Sequence, residues 1–221
     1  MRIACLHTVD SNIAVFEAAR SDLGLDQVEL RHEVRADLLQ AAERAGTLTP
    51  EITAATAEAL LALSRDADAV LLTCSTVGPA VGELALSATP MPVLRVDAAL
   101  ASHAVAKGGR VVALCAVETT IEPTRRLFEE AARSTGAVIE VRLVPDAWAA
   151  FKAGDRERYH RLVAAAADKA SEEGATSVAL AQASMAGAAK LSRLAPVPLT
   201  SPAVGLAAAV GAVGKPSAKA G

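Results

Sequence analysis

Apolar positions along the chain come in two alternating kinds of segment. Short unbroken runs, bounded by turn residues, read as buried strands. Ile3 to Leu6, Val28 to Leu30, Val70 to Leu72, Pro92 to Val96, Arg110 to Leu114, Ala137 to Leu143, Ser177 to Ala181 and Pro196 to Leu199 are of this kind. Between them, apolar residues recur at helical spacing. Asp10 or Ser11 is placed to cap a first helix, with Ile13, Phe16 and Leu23 on one face. Val34, Leu38 and Ala41 mark a second helix. Thr49-Pro50 opens a third, with Thr49 as N-cap, Pro50 in the first turn, and Ile52, Ala55, Ala59, Leu60 and Leu63 inward. Helices are further expected over Gly78 to Leu86, from Ala98 to Ala106 with Asp97 as cap, after Thr119-Thr120 with Leu127, Phe128 and Ala131 inward, along Tyr159 to Ala170, after Gln182, and from Ser201-Pro202 onward.

The pattern restarts after Gly108-Gly109. Arg2 and Arg110, Leu6 and Leu114, and Val9 and Val117 stand 108 residues apart. Ala67 and Ala175, Val70 and Val178, Leu72 and Leu180, and Ala80 and Ala188 share the same 108-residue spacing. Two separated strands on one spacing indicate a duplication. The expected fold is α/β, with two pseudo-symmetric parallel-sheet (flavodoxin-like) halves, residues 1–107 and 108–214. The last helix is free to pack back on the first half, and residues 215–221 form a polar, disordered tail.

Ligands of such sheets bind beyond the carboxyl ends of the strands. Four loops hold equivalent positions there: His7 to Asn12, Cys74 to Gly78, Cys115 to Thr120 and Gln182 to Ala186. Facing halves would bring them to one cleft. The most informative stretch is Val70-Leu71-Leu72-Thr73-Cys74-Ser75-Thr76-Val77-Gly78-Pro79. It places a thiol between hydroxyls just past a strand, where a following helix N-terminus favours thiolate. The 108-residue spacing pairs Cys74 with Gln182 and His7 with Cys115.

A duplicated α/β chain whose strand ends in Thr-Cys-Ser-Thr resembles the aspartate/glutamate/hydantoin racemase superfamily. Leu114-Cys115-Ala116-Val117-Glu118-Thr119-Thr120 is similar to the segment that opens its second half, and Leu180-Ala181-Gln182-Ala183-Ser184-Met185-Ala186 stands at its second cysteine loop. The resemblance implies cofactor-independent chemistry at the carbon alpha to a carboxylate, with a thiol from each half passing protons on opposite faces. Arylmalonate decarboxylase, with one cysteine in the other half, and maleate isomerase are relatives. Here the second cysteine position is Gln182, and an amide cannot exchange protons as a thiol does.

Cys74 is therefore the expected acid/base or nucleophile, with Gln182 donating a hydrogen bond to substrate, orienting a water, or filling the former cysteine space. Ser75, Thr76, Thr119, Thr120, Ala183 and Ser184, with the N–H groups of their loops, are candidates for holding a carboxylate or enediolate; helix capping is the alternative role of the hydroxyls. His7 and Asn12 are further substrate-binding candidates. Cys5 reads as core, Cys115 as packed within its strand, and His32, His103 and His160 as needing no special role. The expected activity is racemase-type isomerisation of a small carboxylic acid with a single thiol. A one-cysteine lyase of the decarboxylase kind and a non-catalytic carboxylate-binding protein are the alternatives.

Composition narrows the partners. The 221 residues are 52% hydrophobic but only 2% aromatic, with formal net charge -3 and no basic cluster, so nucleic acid is not an expected partner. Three cysteines without CxxC spacing imply neither a disulfide framework nor a zinc site, and no metal or other cofactor is expected. No Gly-rich phosphate motif occurs. No apolar run reaches the ~18 residues of a membrane span, so the chain reads as soluble and cytoplasmic, with homo-oligomerisation left open.

Overall fold

In the computed structural model, which describes residues 1–84, 89 and 91–213, eight strands form two four-stranded sheets, both wholly parallel. The first has the order β2-β1-β3-β4, from β1 (Arg2–His7), β2 (Glu29–Val34), β3 (Ala69–Leu72) and β4 (Val93–Arg95). The second has the order β6-β5-β7-β8, from β5 (Arg110–Cys115), β6 (Val138–Leu143), β7 (Ser177–Leu180) and β8 (Leu199–Thr200). The duplication is carried to the residue. Ile3 pairs with Ala69 as Val111 pairs with Ser177, and Leu6 pairs with Leu72 as Leu114 pairs with Leu180. Cys74 and Gln182 each stand two residues past the strand beside the central one.

The helices are α1 (Ser11–Asp22), α2 (Ala36–Ala45), α3 (Pro50–Ser64), α4 (Val96–Val105), α5 (Ile121–Ala132), α6 (Ala147–Lys152), α7 (Arg156–Glu172) and α8 (Ser201–Ala212). Strand side chains alternate between faces. In the first sheet, Ala4, Leu6, Val70 and Leu72 meet Leu38 and Ala42 of α2 and Ile52, Leu60 and Leu63 of α3. The opposite face carries Ile3, Cys5 and His7, and the His7 ring lies against Phe16 of α1. In the second sheet, Val112, Leu114, Val178 and Leu180 pack on α6 and α7, through Ala147, Tyr159, Val163 and Ala167. Val111, Ala113, Cys115 and Ala179 pack on α4 and α5, through Leu100, Ala104 and Phe128.

The chain divides into two compact units, one of Met1–Val96 with the segment from Gly205 onward and one of Asp97–Val204. The division precedes α4 instead of falling at Gly108-Gly109, because α4 spends its apolar face, Leu100, Ala101, Ala104 and Val105, on the second sheet. From Gly205 the last helix belongs with the first unit, where a Cβ on Gly205 would lie 2.7 Å from Val96 Cγ1. Gly108 and Gly109, at φ 65° and 75°, make the left-handed turn into β5. The tail expected at 215–221, and Leu86 at the end of the helix expected from Gly78, lie outside the described residues.

Candidate active site

In the first unit, β3 is extended by one residue beyond its apolar run. Thr73 donates both its N–H (3.1 Å) and its Oγ1–H (3.0 Å) to the Leu6 carbonyl of β1. That double anchor fixes the backbone immediately before Cys74, which is half-buried. Ser75 is half-buried, Thr76 exposed, and the turn closes as Gly78 N–H donates to the Ser75 carbonyl at 3.2 Å. Among the described residues, no backbone carbonyl takes up the N–H groups of Ser75 and Thr76. Gly78 lies against the Arg95 guanidinium from the end of β4, which a Cβ there would approach to 2.7 Å. The helix expected from Gly78 is a six-residue 3-10 segment, Gly78–Glu83, ended by extended backbone at Leu84. A segment so short carries little of the aligned dipole that the sequence pattern suggested for Cys74.

His7, expected to meet substrate, is instead fully buried with both ring nitrogens engaged. Its Nδ1 lies 2.8 Å from Thr73 Oγ1, and its Nε2 lies 2.8 Å from His32 Nδ1. His32 Nε2 in turn lies 3.2 Å from Glu17 Oε1. A carboxylate only accepts, so His32 Nε2 carries the proton shared with Glu17, and one proton lies between His7 Nε2 and His32 Nδ1. Burial first and the neighbouring His32 second push His7 down to about 4, which keeps it neutral. Cys5, one ladder step from His7 on the same face, is pushed up to about 12 by burial and the Glu17 charge. Asn12, nearly buried in the first turn of α1, makes no side-chain hydrogen bond among the described residues. It stands with the Cys74 loop at the C-terminal edge of the neighbouring strands β1 and β3.

The second unit presents equivalent loops with different chemistry. Gln182 Oε1 accepts the Ala116 N–H at 2.7 Å, bridging the loops after β7 and β5. Since that N–H can only donate, the amide orientation is fixed and its NH2 is the end left for a further acceptor. Thr120 Oγ1 donates to the Val117 carbonyl at 2.6 Å, and Ser184 Oγ lies 2.8 Å from the hydroxyl of buried Tyr159. The Ser184 carbonyl accepts from His160 Nε2 at 3.2 Å. The Thr120 hydroxyl proton is thus spent inside the unit and Ser184 shares a hydrogen bond with Tyr159, whereas Thr119 is exposed and Ala183 is buried at the head of a 3-10 segment, Ala183–Leu191. Cys115 is fully buried, its thiol near Thr124 Oγ1 at 3.6 Å, and burial raises its pKa above the ordinary thiol range.

Sequence reasoning did not find Thr73, His32 or Glu17 as partners of His7, nor Arg95, Tyr159 and His160 as supports of the two loops. His32 joins His7 only through the parallel register that sets Cys5 opposite His32. The signal present in the sequence was the pair of polar residues Thr73 and His32 at or beside otherwise apolar strand ends.

A sequence model of the Asp/Glu/hydantoin racemase family matches residues 11–210. No curated protein sequence matches the chain. Among solved structures, an aspartate racemase from Picrophilus torridus is similar at TM-score 0.67 and 15% identity, covering 91% of this chain and 89% of that one. An aspartate racemase homologue from Pyrococcus horikoshii is similar at TM-score 0.65 and 13% identity, covering 97% and 99%. An allantoin racemase from Klebsiella pneumoniae is similar at TM-score 0.61 and 18% identity, covering 100% and 91%. At these identities the structures establish a shared fold, and the family assignment rests on the sequence match. Two parallel sheets related by a 108-residue repeat, with a thiol at the end of the third strand, are thus those of a chain that belongs to the Asp/Glu/hydantoin racemase family of isomerase-type enzymes.

Proposed function

We propose that the protein acts at the carbon alpha to the carboxylate of a small carboxylic acid and moves the proton there with one thiol, Cys74. The observation that carries this is the residue-level match of β3 with β7, which puts Gln182 at the position equivalent to Cys74. Gln182 has its carbonyl committed to Ala116, and Cys115, the thiol of the second unit, is buried in its strand. In this reading neither serves as a second base.

In this scheme Cys74 takes the alpha proton as thiolate, or returns one as thiol. The negative charge that develops on the carboxylate becomes enediolate-like. In this scheme it is met by the N–H groups of Ser75 and Thr76, the Ser75 and Thr76 hydroxyls and the Asn12 amide, which have no other hydrogen-bond partner among the described residues. In the second unit, Thr120, Ala183 and Ser184 shape the loops that carry Thr119 and the Gln182 NH2. General acid/base transfer of this kind contributes ~10²–10⁴ in rate.

Gln182 also favours a second reading, a lyase. Loss of CO2 from a malonate-type acid leaves one carbanion that needs one proton on one face, and a single thiol suffices for it. The distinguishing experiment is NMR of the wild-type protein in deuterated water with single enantiomers of amino acids and hydroxy acids, hydantoins, and disubstituted malonates. Alpha deuteration with appearance of the opposite enantiomer supports isomerisation, and monodeuterated product with CO2 release supports the lyase. Absence of both over the whole panel would refute catalysis at an alpha carbon.

A further inference from the structure

On the face of the first sheet that packs against α1, one ligand atom from each of Cys5, His7 and His32 lies within 4.8 Å of the other two. The register creates this cluster. Cys5 and His7 are two residues apart on β1 and share a face, and Cys5 is directly opposite His32 on β2. A thiolate and two imidazoles are a donor set for zinc and similar borderline divalent ions.

The outer partners are arranged in the same sense. A histidine that binds a metal through one nitrogen characteristically donates its other N–H to a carboxylate, carbonyl or hydroxyl. His32 turns Nε2–H to Glu17, at 3.2 Å, and His7 turns Nδ1 to the Thr73 hydroxyl, at 2.8 Å, an oxygen able to accept its proton. The two remaining nitrogens, His7 Nε2 and His32 Nδ1, face each other at 2.8 Å with one proton between them. From these facts we propose that Cys5, His7 and His32 form a binding site for a divalent transition metal ion, with Glu17 and Thr73 as the outer groups that orient the imidazoles.

The ion takes Cys5 as thiolate, its proton leaving to solvent, and takes the lone pairs of His7 Nε2 and His32 Nδ1; the proton between those nitrogens moves to His7 Nδ1, facing Thr73, or leaves to solvent. The loaded cluster of M2+, the Cys5 thiolate and the Glu17 carboxylate sums to zero. Binding requires the nitrogen pair to open from 2.8 Å to roughly 3.3 Å for two Zn–N bonds in a tetrahedral array, and the Cys5 thiol to close in from its place within 4.8 Å. His32, whose side chain is 12% exposed, is the point of entry. The site lies within one unit.

Cobalt is the probe. The full-length, chelator-treated, reduced protein is titrated with Co2+, with circular dichroism confirming that each variant is folded. One equivalent should produce a near-ultraviolet thiolate-to-cobalt band and four-coordinate visible bands in wild type and in Cys74→Ser. Cys5→Ser should abolish the ultraviolet band. His32→Ala, at the rim of the core, should weaken binding at least tenfold and guards against misfolding of Cys5→Ser. Glu17→Gln, on the outer group alone, should weaken it ~10–100-fold. No thiolate band in wild type at saturating Co2+, or a band kept in Cys5→Ser and lost in Cys74→Ser, would overturn the site.

Discussion

Thr73 holds the inner end of the buried histidine chain, and replacing it by valine should leave His7 without its hydroxyl partner. Its Oγ1 lies 3.0 Å from Leu6 O and 2.8 Å from His7 Nδ1. Valine keeps the volume, so no cavity opens. Leu6 O remains satisfied by the Thr73 N–H at 3.1 Å. What is lost is the partner of His7 Nδ1, in a residue with no exposed surface. Leaving a buried polar group unpaired costs about 1–3 kcal/mol, and each kcal/mol corresponds to ~2–4 °C in a chain of this size. The assay is urea unfolding of the metal-free protein together with nitrogen-15 NMR of the His7 ring. Thr73→Val should lose about 1–3 kcal/mol and shift the His7 Nδ1 resonance, with Thr73→Ser resembling wild type. A Thr73→Val protein of wild-type stability with an unchanged Nδ1 resonance would refute the role of the hydroxyl as the buried partner of His7.

Gln182→Ala deprives the buried Ala116 N–H of its partner and should destabilise the protein by about 1–3 kcal/mol in denaturant titration, whereas Gln182→Glu, which keeps the acceptor, should be much milder. Gly109→Ala combines φ 75° with a Cβ placed 2.3 Å from Thr176 Oγ1, and should cost more than the ~1 kcal/mol of the left-handed backbone alone; an equal cost would mean that Thr176 moves away freely. Acid should destabilise the metal-free protein through His7. Its native pKa, about 4, lies below the ordinary 6.5, so the unfolded chain takes up the proton first. The stability from neutral His7 is complete above pH 6.5 and is lost as pH falls toward 4, to a limit of about 3 kcal/mol. His7 ring resonances should stay those of neutral imidazole well below the ordinary histidine range, and titration of His7 near 6.5 would contradict its burial.

The central strands were legible because β1, β3, β5 and β7 are unbroken apolar runs covered on both faces. The repeat was legible because two such strands shared one spacing. β2 was found only at its start, since Glu29–Val34 is an edge strand in which His32 and Glu33 interrupt the apolar pattern. For the same reason Val34 looked like the start of a helix. α4 looked like the end of the first half because nothing local shows which sheet an alanine-rich helix covers. At the candidate site, Cys74 and Gln182 came directly from the 108-residue spacing. The chain from Glu17 through His32 and His7 to Thr73 did not, because its links span 15, 25 and 66 residues and exist only once the parallel register is set.

The claim that one thiol carries the chemistry is tested most directly by solvent exchange at the alpha carbon. With a substrate found by the panel, wild type in deuterated water should incorporate deuterium at that carbon. Cys74→Ser should lose ~10²-fold or more of this rate, while Cys115→Ser should retain exchange. Wild-type exchange in Cys74→Ser, or its loss in Cys115→Ser with the fold intact, would contradict the account.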